Sequence, residues 1–324
     1  RQDYLLVAED GENLRSRKNP IANAASGKFR VNNHAHVIAE SEKCNLVFLR
    51  HLLNMTDISA YVTGSTQPKL SQSNLCAMKL PLPSMAEQNA IANVLSLFDR
   101  KIELNNQLND YLEQLVDGKF QELFGGLNFN ATLSDVAEIT MGQSPAGSSY
   151  NEEGAGIIFY QGRGEFGWRF PKRRLYTTEP KRLACEGDVL MSVRAPVGDL
   201  NVAFENCCIG RGLAAIHSET PSFALYLMRF LKPQLEAYNG EGTVFGSING
   251  KALKSLEVAL PSHNEVMQFE SFAAPIDALI RSNENETRKL NNLRNYLLPK
   301  LMSGEIDVSK VDLTQLTNNH LADY

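Results

Sequence analysis

The chain has 324 residues, of which 43% are hydrophobic and 21% are charged, and its formal net charge is −5. This length allows more than one domain with a core of its own, and the composition is that of an ordinary globular protein. No apolar run approaches the roughly 18 residues of a membrane helix, which excludes a transmembrane segment. The five cysteines lack CxxC spacing, a pattern typical of reduced thiols in a cytoplasmic protein.

The first third of the chain predicts a small module of short elements. A buried strand is predicted over residues 4–8, strand-like alternation over 27–38 and a helix over 46–55. A polar loop follows over 61–75, and a short apolar, strand-like run then leads to Pro83. These elements indicate a turn-rich α/β or mostly-β module.

A long helix is predicted to begin at Ser84. Ser84 is an N-cap residue, and Glu87 completes a capping box three positions later. Apolar residues then recur in steps of four, three and four, which is the spacing of a helix seam: Ile91, Leu95, Phe98 and Ile102. Neither Pro nor Gly interrupts the pattern before Gly118. About 40 helical residues would span roughly 60 Å.

The same arrangement returns later in the chain at an offset of 178 residues, from Ser84 to Ser262. This offset also places Asp99 on Asp277, Asn105 on Asn283, and residues 64–70 on 242–248. The chain is therefore an internal duplication of one module followed by one long helix. The second copy begins with residues 133–187, which have no counterpart upstream, so we expect that about 50 residues are missing from the start of the first copy.

Positive charge is densest between Tyr160 and Arg194, where eight cations face four anions. Arginine suits contact with guanine or phosphate, and the glycines and aromatic residues interleaved here permit close approach and stacking. The DNA contacts predicted in this stretch are Arg163, Trp168, Arg169, Lys172, Arg173, Arg174 and Arg194. A solvated loop with its aromatic side chains packed into the module explains the same pattern and stays open.

The first module offers a second set of polar and basic residues. The DNA contacts predicted here are Arg15, Arg17, Lys18, Lys28, Arg30 and Asn32. A turn at the end of a strand is an equally good explanation for Asn32. His34 and His36 would share one strand face, but no third ligand accompanies them, so no metal site is predicted.

No catalytic motif accompanies these residues: P-loop, zinc-protease, nucleophile-elbow and adenine-methyltransferase patterns are all missing. The G-x-G-x-x-G spacing at 162–167 is followed by Trp168 and Pro171 instead of a helix, which excludes a nucleotide site. We therefore predict no catalytic residue and no cofactor in this chain.

The two long helices carry a further pattern. Asn105 and Asn283 occupy matching seam positions, where a polar side chain lowers stability but fixes helix register. Pairing of the two helices is the simplest expectation, and an antiparallel pair would hold the modules at opposite ends. Separate packing of each helix on its own module is the alternative.

This arrangement resembles the specificity subunit of type I restriction–modification enzymes. The resemblance extends over nearly the whole chain and rests on the motifs at 27–37, 64–70, 80–88, 98–102, 133–142 and 187–190. One departure is Val266, which stands after Glu265 where Gln88 follows Glu87. Weaker contact of the second helix start with a partner is expected from this difference.

The resemblance implies an α+β fold with two globular α/β target-recognition domains and two long helices that form an antiparallel coiled coil. The implied division is a first domain over 1–83, a helix over 84–125, a second domain over 126–261, a helix over 262–304 and a tail over 305–324. Each domain would read one half of a split site in double-stranded DNA, and the helices would set the gap between the halves.

The resemblance also implies partners. Two modification (methyltransferase) subunits that bind S-adenosylmethionine, and motor-nuclease restriction subunits, would assemble on this non-catalytic chain in the cytoplasm, away from any membrane. The alternative is a coiled-coil adaptor whose two modules bind proteins. Charge reversal at Arg173 and Arg174 is expected to abolish DNA binding only in the first case.

Overall fold

The computed structural model describes residues 3–239 and 246–308. The chain divides into two compact units: unit 1 comprises residues 1–107 and 283–324, and unit 2 comprises residues 108–282. Most of the predicted tail, residues 309–324, lies outside the described residues, as does the part of the predicted loop match at 242–245. None of the described helices combines the length and apolar character needed to cross a membrane.

Unit 1 is built on a three-stranded antiparallel sheet in the order β2-β1-β3. Its strands are β1 (Asp3–Ala8), β2 (Ala22–Ser26) and β3 (Ala35–Ala39), and its short helices are α1 (Asn13–Ser16), α2 (Leu46–Met55) and α3 (Gln72–Ala77), with a 3-10 turn at Ser59–Tyr61. The strand predicted over 4–8 and the helix predicted over 46–55 are confirmed.

Three local predictions in unit 1 are wrong. Residues 27–34 form a bend and turn instead of a strand, because Gly27 has a φ of 81° and the Asn32 side chain accepts a hydrogen bond from the His34 amide. The loop predicted over 61–75 contains the start of α3, which the Ser71 hydroxyl caps. The run before Pro83 is not a strand, since each of its prolines lacks the N–H that a ladder needs.

The core of unit 1 lies between the sheet and α2. Leu5 and Val7 alternate on the buried side of β1, and Leu49 and Leu53 of α2 belong to the same apolar cluster. Asn45 starts α2, because its side-chain oxygen accepts hydrogen bonds from the amides of residues 47 and 48 at 2.9 and 3.1 Å.

The two long helices are confirmed as α4 (Met85–Phe124) and α8 (His263–Met302), each of 40 residues. Both begin at the predicted capping boxes. The Glu87 carboxylate accepts a hydrogen bond of 3.0 Å from the Ser84 amide, and the Glu265 carboxylate accepts one of 2.9 Å from the Ser262 amide. In return, each serine hydroxyl accepts a hydrogen bond from the main-chain amide of its glutamate, at 3.3 and 3.4 Å.

Within unit 1, the first part of α4 packs against the last part of α8. Leu95 and Phe98 of α4 share an apolar cluster with Leu290 and Leu298 of α8. Phe48 from α2 joins this cluster, so the small module and both helix segments are parts of one core.

Unit 2 contains three sheets, in the orders β11-β10-β13-β5, β6-β8-β7-β12-β9 and β14-β4. The strands are β4 (Ala131–Thr132), β5 (Glu138–Met141), β6 (Tyr150–Asn151), β7 (Ile157–Tyr160), β8 (Leu175–Thr177), β9 (Leu183–Ala184), β10 (Val189–Ser192), β11 (Leu200–Val202), β12 (Cys207–Ile209), β13 (Leu213–His217) and β14 (Glu257–Val258). The helices are α5 (Pro221–Phe230), α6 (Lys232–Glu236) and α7 (Gly250–Lys254), with 3-10 turns at Leu133–Asp135, Gly147–Ser149, Arg163–Glu165 and Ala237–Asn239.

Strand β10 is buried on both faces, and three of its four residues are apolar. Val189 and Met191 belong to the apolar cluster that includes α5, whereas Leu190 belongs to the cluster that includes β7 and β12. The last part of α4 joins the first cluster, where the Phe120 and Phe269 rings meet edge to face with centroids 5.3 Å apart.

Candidate nucleic-acid interface

Three arginines of the predicted contact stretch in unit 2 form ion pairs at the surface. Arg173 donates to Glu205 at 2.6 Å, Arg174 donates to Glu165 at 2.7 Å, and Arg163 pairs with Asp199. The arginine side chains are about half exposed. Exposed pairs contribute only about 0–1 kcal/mol each, so Arg163 and Arg173 can exchange a carboxylate for a phosphate at small cost. Arg174 is held more firmly, because its partner Glu165 is buried.

Arg169 is different, because its side chain is only 4% exposed. Its guanidinium donates to Glu113 at 3.2 Å, to the Tyr226 hydroxyl at 3.2 Å, and to Asp277. Burial alone would lower the pKa of Arg169, but Asp277, Tyr226 and Glu113 together raise it. A guanidinium enclosed in this way is not available to a phosphate or a base, so we remove Arg169 from the predicted contacts.

The remaining predicted residues of the stretch face solvent. Lys172 and Arg194 are exposed and form no ion pair with any described residue, and the same holds for the neighbouring Lys181 and Arg182. The Trp168 side chain, with 46% of the residue exposed, is also on the surface. The four cations therefore carry positive charge that no described carboxylate compensates.

A cleft of about 700 Å³ lies at the β5 edge of the four-stranded sheet, and we call it the β5 cleft. Its charged lining residues are all cations: Arg182, Lys251 and Lys254. Hydroxyl groups complete the polar lining: Thr132, Ser134, Thr140 and Ser255. No ion pair with a described residue holds the three cations. Two of the hydroxyls already donate within unit 2, Thr132 to Asp135 and Ser255 to the Lys251 carbonyl. It is the three cations that fit a phosphate backbone.

The β5 cleft was not predicted from the sequence. Arg182 belongs to the cationic stretch, but Lys251 and Lys254 lie about 70 residues further along the chain. Their spacing of three residues, on one face of α7, was the available signal. Only the fold brings α7 next to β5, where the Met141 side chain reaches Gly250.

In unit 1, three of the predicted contacts instead hold the module together. Arg15 donates to the carbonyls of Gly64 and Ser65, and Arg17 donates to those of Leu53 and Asn54 at the end of α2. The Asn32 side chain closes the turn described above, which favours the alternative explanation for this residue. Of the contacts predicted in unit 1, Lys18, Lys28 and Arg30 are exposed and form no ion pair with a described residue.

The two histidines considered for a metal site point to separate partners. His34 Nδ1 lies 2.7 Å from the Asp10 carboxylate, and His36 Nε2 lies 2.7 Å from the Leu70 carbonyl oxygen. Each imidazole ring is therefore held in place by its own hydrogen bond inside unit 1.

Asn105 is buried, and its side-chain amide bonds to α8 within unit 1. The Nδ2 group donates to Glu286 Oε2 at 2.7 Å, to Thr287 Oγ1 at 3.3 Å and to the Asn283 carbonyl at 3.4 Å. The side-chain partners of Asn105 are thus Glu286 and Thr287, whereas Asn283 contributes its main chain to this contact. The role of the two asparagines in register stays a prediction.

The repeated aspartates Asp99 and Asp277 each bind basic side chains, a role that the sequence did not reveal. Asp99 accepts from Arg294 at 2.8 Å and from His51 at 3.1 Å, and it also pairs with Arg50. Burial raises the pKa of Asp99, but the hydrogen bonds and charges of these three residues outweigh it and lower the pKa to about 2. Asp277 binds Arg169 in unit 2 in the same repeat position.

A family model described as the type I restriction modification DNA specificity domain matches residues 14–114 and 130–295. The chain belongs to this family. Among curated relatives, the type I restriction enzyme MjaX specificity subunit of Methanocaldococcus jannaschii is 35% identical over 289 residues, which cover 81% of this chain and 68% of the relative. The MjaIX specificity subunit of the same organism is 25% identical over 309 residues, 82% of this chain and 70% of the relative.

The fold is also similar to that of a solved structure. The S subunit of a type I restriction–modification system from M. genitalium superposes with a TM-score of 0.60 at 18% identity, covering 92% of this chain and 82% of that chain. At this identity the similarity concerns the fold alone, which is a mixed α/β architecture with long helices.

Gln88 and Val266, the departure between the two helix starts, both lie in the interior of their units. Gln88 is buried, and its side chain accepts from the Asn45 amide at 3.0 Å and donates to the carbonyls of Lys43 and Pro83 at 3.2 and 2.9 Å. Val266 is likewise buried, in the apolar core of unit 2. Neither side chain reaches the surface, so the exchange of Gln88 for Val266 is explained by packing inside each unit, and weaker partner contact at the second helix start stays a prediction.

One group of potential metal ligands in unit 2 was not found from the sequence. Cys185, Asp188 and His217 each place one ligand atom within 4.8 Å of the others. His217 Nδ1 and Asp188 Oδ1 are 2.6 Å apart, closer than the roughly 3.3 Å between two ligands of one tetrahedral zinc ion. The hydrogen bond to Asp188 raises the pKa of His217. The same bond explains why these two side chains lie close together.

Proposed function

We propose that this chain is the subunit that selects the DNA site of a type I restriction–modification complex, and that it reads a split site with its two modules. The observation that carries this proposal is the duplication, since each module is followed by a capped helix of 40 residues. In this proposal residues 1–83 and 126–261 are the target-recognition domains. They act in the cytoplasm on double-stranded DNA.

Contact with the DNA backbone is supported by the β5 cleft. The cleft is lined by three cations without ion pairs to described residues and by no carboxylate, which suits the binding of phosphates. The same cleft argues against the adaptor alternative, because lysine is depleted at protein–protein interfaces. The overall charge of −5 does not oppose DNA binding when free cations are concentrated in one cleft.

We assign the spacing between the half-sites to α4 and α8, which would pair as an antiparallel coiled coil. Residues further along α4 contact residues earlier in α8 within unit 1: Asp99 meets Arg294, and Asn105 meets Thr287. The polar contact at Asn105 would fix the register of the pair. About 40 residues at 1.5 Å each give a rod of roughly 60 Å, or about 1.7 turns of DNA.

Methyltransferase partners would dock on the helices. In unit 2, α4 leaves Leu108, Tyr111 and Leu115 exposed at helical spacing, and Tyr111 is 69% exposed. In unit 1, Leu97 and Leu104 of α4 are exposed seven residues apart. Two modification subunits would cover these faces and bring S-adenosylmethionine, restriction subunits would join them, and this chain would supply no catalytic residue.

The test is to express the chain with its cognate modification subunit in a host without adenine methylation and to map methylated adenines across the genome. A split motif with a fixed gap is expected. Inserting four residues beside Asn105 in α4 and four beside Asn283 in α8 should lengthen the gap by about 2 base pairs and keep both half-sites, since four helical residues rise about 6 Å.

The matched control is a four-residue insertion after Glu153, in an exposed turn of unit 2, which should leave the gap unchanged. A continuous motif, or a gap that stays constant with both helices lengthened, would contradict the proposal. Protein capture without any methylation would favour the adaptor alternative.

A further inference from the structure

We propose that unit 2 reads bases through four side chains at the ends of its strands: Gln143, Gln161, Arg194 and Arg211. This inference rests on the proposed function, because it names which residues of the second recognition domain contact base edges. Only Arg194 was predicted from the sequence. We call these four residues the strand-end face.

The four residues lie next to strand ends that meet in space. Gln143 follows β5 and Gln161 follows β7, whereas Arg194 follows β10 and Arg211 precedes β13. Main-chain hydrogen bonds connect the segments at the positions beside these residues: Gln143 N to Ile209 O at 3.0 Å, Gly210 N to Tyr160 O at 2.8 Å, Gly212 N to Gln161 O at 3.3 Å and Val193 N to Gly212 O at 3.0 Å. The four side chains therefore rise from one connected piece of backbone.

Glycines make this close approach of the backbone possible. A Cβ on Gly142 would lie 2.2 Å from the Gly210 carbonyl oxygen, and a Cβ on Gly210 or Gly212 would lie 2.8 or 2.9 Å from the Gln161 carbonyl oxygen. Real Cβ atoms are not found at such distances from main-chain oxygens, so these positions need glycine. The result is a rigid platform, which is what precise base contact requires.

The side chains on this platform have no structural use within the described residues. All four residues are exposed, and no described group pairs with their side chains. Arginine binds the O6 and N7 atoms of guanine through two hydrogen bonds, and glutamine binds the N6 and N7 atoms of adenine in the same way. Two arginines and two glutamines on one surface are therefore a set suited to reading bases.

The β5 cleft adjoins this face. Met141, the last residue of β5, lines the cleft, and Gln143 follows two positions later. A DNA backbone held by Lys251 and Lys254 would therefore run along the same edge from which Gln143 projects. Phosphate contacts of this kind fix the position of a protein on the duplex, and the base contacts beside them supply specificity.

Unit 1 repeats the backbone of this platform with other side chains. Its hydrogen bonds from Glu9 N to His34 O at 2.9 Å and from Leu70 N to Glu9 O at 2.7 Å match those from Val193 N to Gly212 O and from Ile248 N to Val193 O in unit 2. Asp10 then stands in the place of Arg194, and Asn33 stands in that of Arg211. Different side chains on one platform would give the two modules different half-sites.

The experiment uses the complex of the full chain with its modification subunit, and methylated adenines are mapped for single alanine variants of Gln143, Gln161, Arg194 and Arg211. Each variant is expected to lower the preference for one base in one half-site by roughly 5- to 150-fold. The other half-site and the gap should stay unchanged. Asn33→Ala should alter the opposite half-site instead.

Folding is followed by melting temperature, and Arg194→Lys and Arg211→Lys keep the charge while removing the two-point contact with guanine. Lys119→Ala, which removes a surface partner of Glu122 on α4, should leave the motif intact. Unchanged half-sites in all four alanine variants would overturn the inference while the proposed function stands. Failure of the wild-type complex to give a split motif would instead count against the proposed function itself.

Discussion

Asp99 of α4 accepts a hydrogen bond of 2.8 Å from Arg294 of α8. Arg50 and His51 of α2 contact the same carboxylate, so this one side chain joins the module and both helix segments of unit 1. Three basic groups surround a single acid, and each of them would be left without its charge partner if Asp99 were removed.

The variant Asp99→Asn is expected to lower the free energy of unfolding of unit 1 by about 2 kcal/mol near pH 7, since the pKa falls from 3.8 to about 2 on folding and each pKa unit is worth about 1.4 kcal/mol. A lowered pKa stabilises the fold at pH values above about 4. This contribution is lost as the pH falls from about 4 to about 2. Melting temperatures of wild type and variant should therefore converge in acid.

Asp110→Asn is the matched control, because Asp110 is exposed on the same helix and has no ion pair with a described residue. It should not change the melting temperature at any pH. A difference between wild type and Asp99→Asn that stayed constant down to pH 2.5 would show that the carboxylate charge is not what stabilises this cluster.

Arg169→Met should destabilise unit 2 by roughly 3 kcal/mol, because it leaves the carboxylates of Glu113 and Asp277 facing each other without the arginine between them. Affinity for DNA, measured at a temperature where the variant is folded, should change little. Thermal melting and duplex titration of the same samples check both statements.

Arg173→Met provides the comparison, since Arg173 is half exposed and paired with Glu205. Its stability should change by no more than about 1 kcal/mol. If Arg169→Met kept its stability and lost DNA binding instead, then the assignment of Arg169 to the interior would be wrong.

These arginines illustrate which features could be predicted from the sequence. Helices α4 and α8 follow from local signals, namely a capping box and a repeating apolar seam. Arg169 and Arg194 look alike in the sequence, because the residues that decide their roles are far away: Glu113 and Asp277 lie 56 and 108 positions from Arg169. Burial of a charge depends on such distant partners, which a local pattern does not contain.

The residues of the proposed DNA interface could not be predicted from local sequence patterns for the same reason. Arg182 and Lys251 become neighbours only because α7 packs beside β5, and Gln143 and Gln161 stand together only because main-chain hydrogen bonds connect their loops to the segment at 209–212. The dense run of cations at 160–194 includes Arg182 and Arg194, which belong to the proposed interface. It did not distinguish cations already paired with carboxylates from those left free.

Asn105→Leu should raise the melting temperature and loosen the spacing, because a buried asparagine at a helix seam lowers stability in return for a fixed register. Glu286 would lose the amide but keep Lys101 at 3.0 Å. Methylation mapping of the variant complex should show more than one gap length. Asn106→Leu, at the next and exposed position, should affect neither property, and a lower melting temperature for Asn105→Leu would refute the expectation.

Alanine variants of Arg182, Lys251 and Lys254 should weaken binding to every duplex sequence about equally, because cations in the β5 cleft would contact phosphates and not bases. Each removed phosphate contact should reduce the slope of log affinity against log salt concentration by about 0.9. The measurement is a salt titration of the complex on a specific and a non-specific duplex. Lys119→Ala, which changes charge outside the cleft, should keep the wild-type slope. An unchanged slope in all three cleft variants would mean that the DNA backbone does not pass through this cleft.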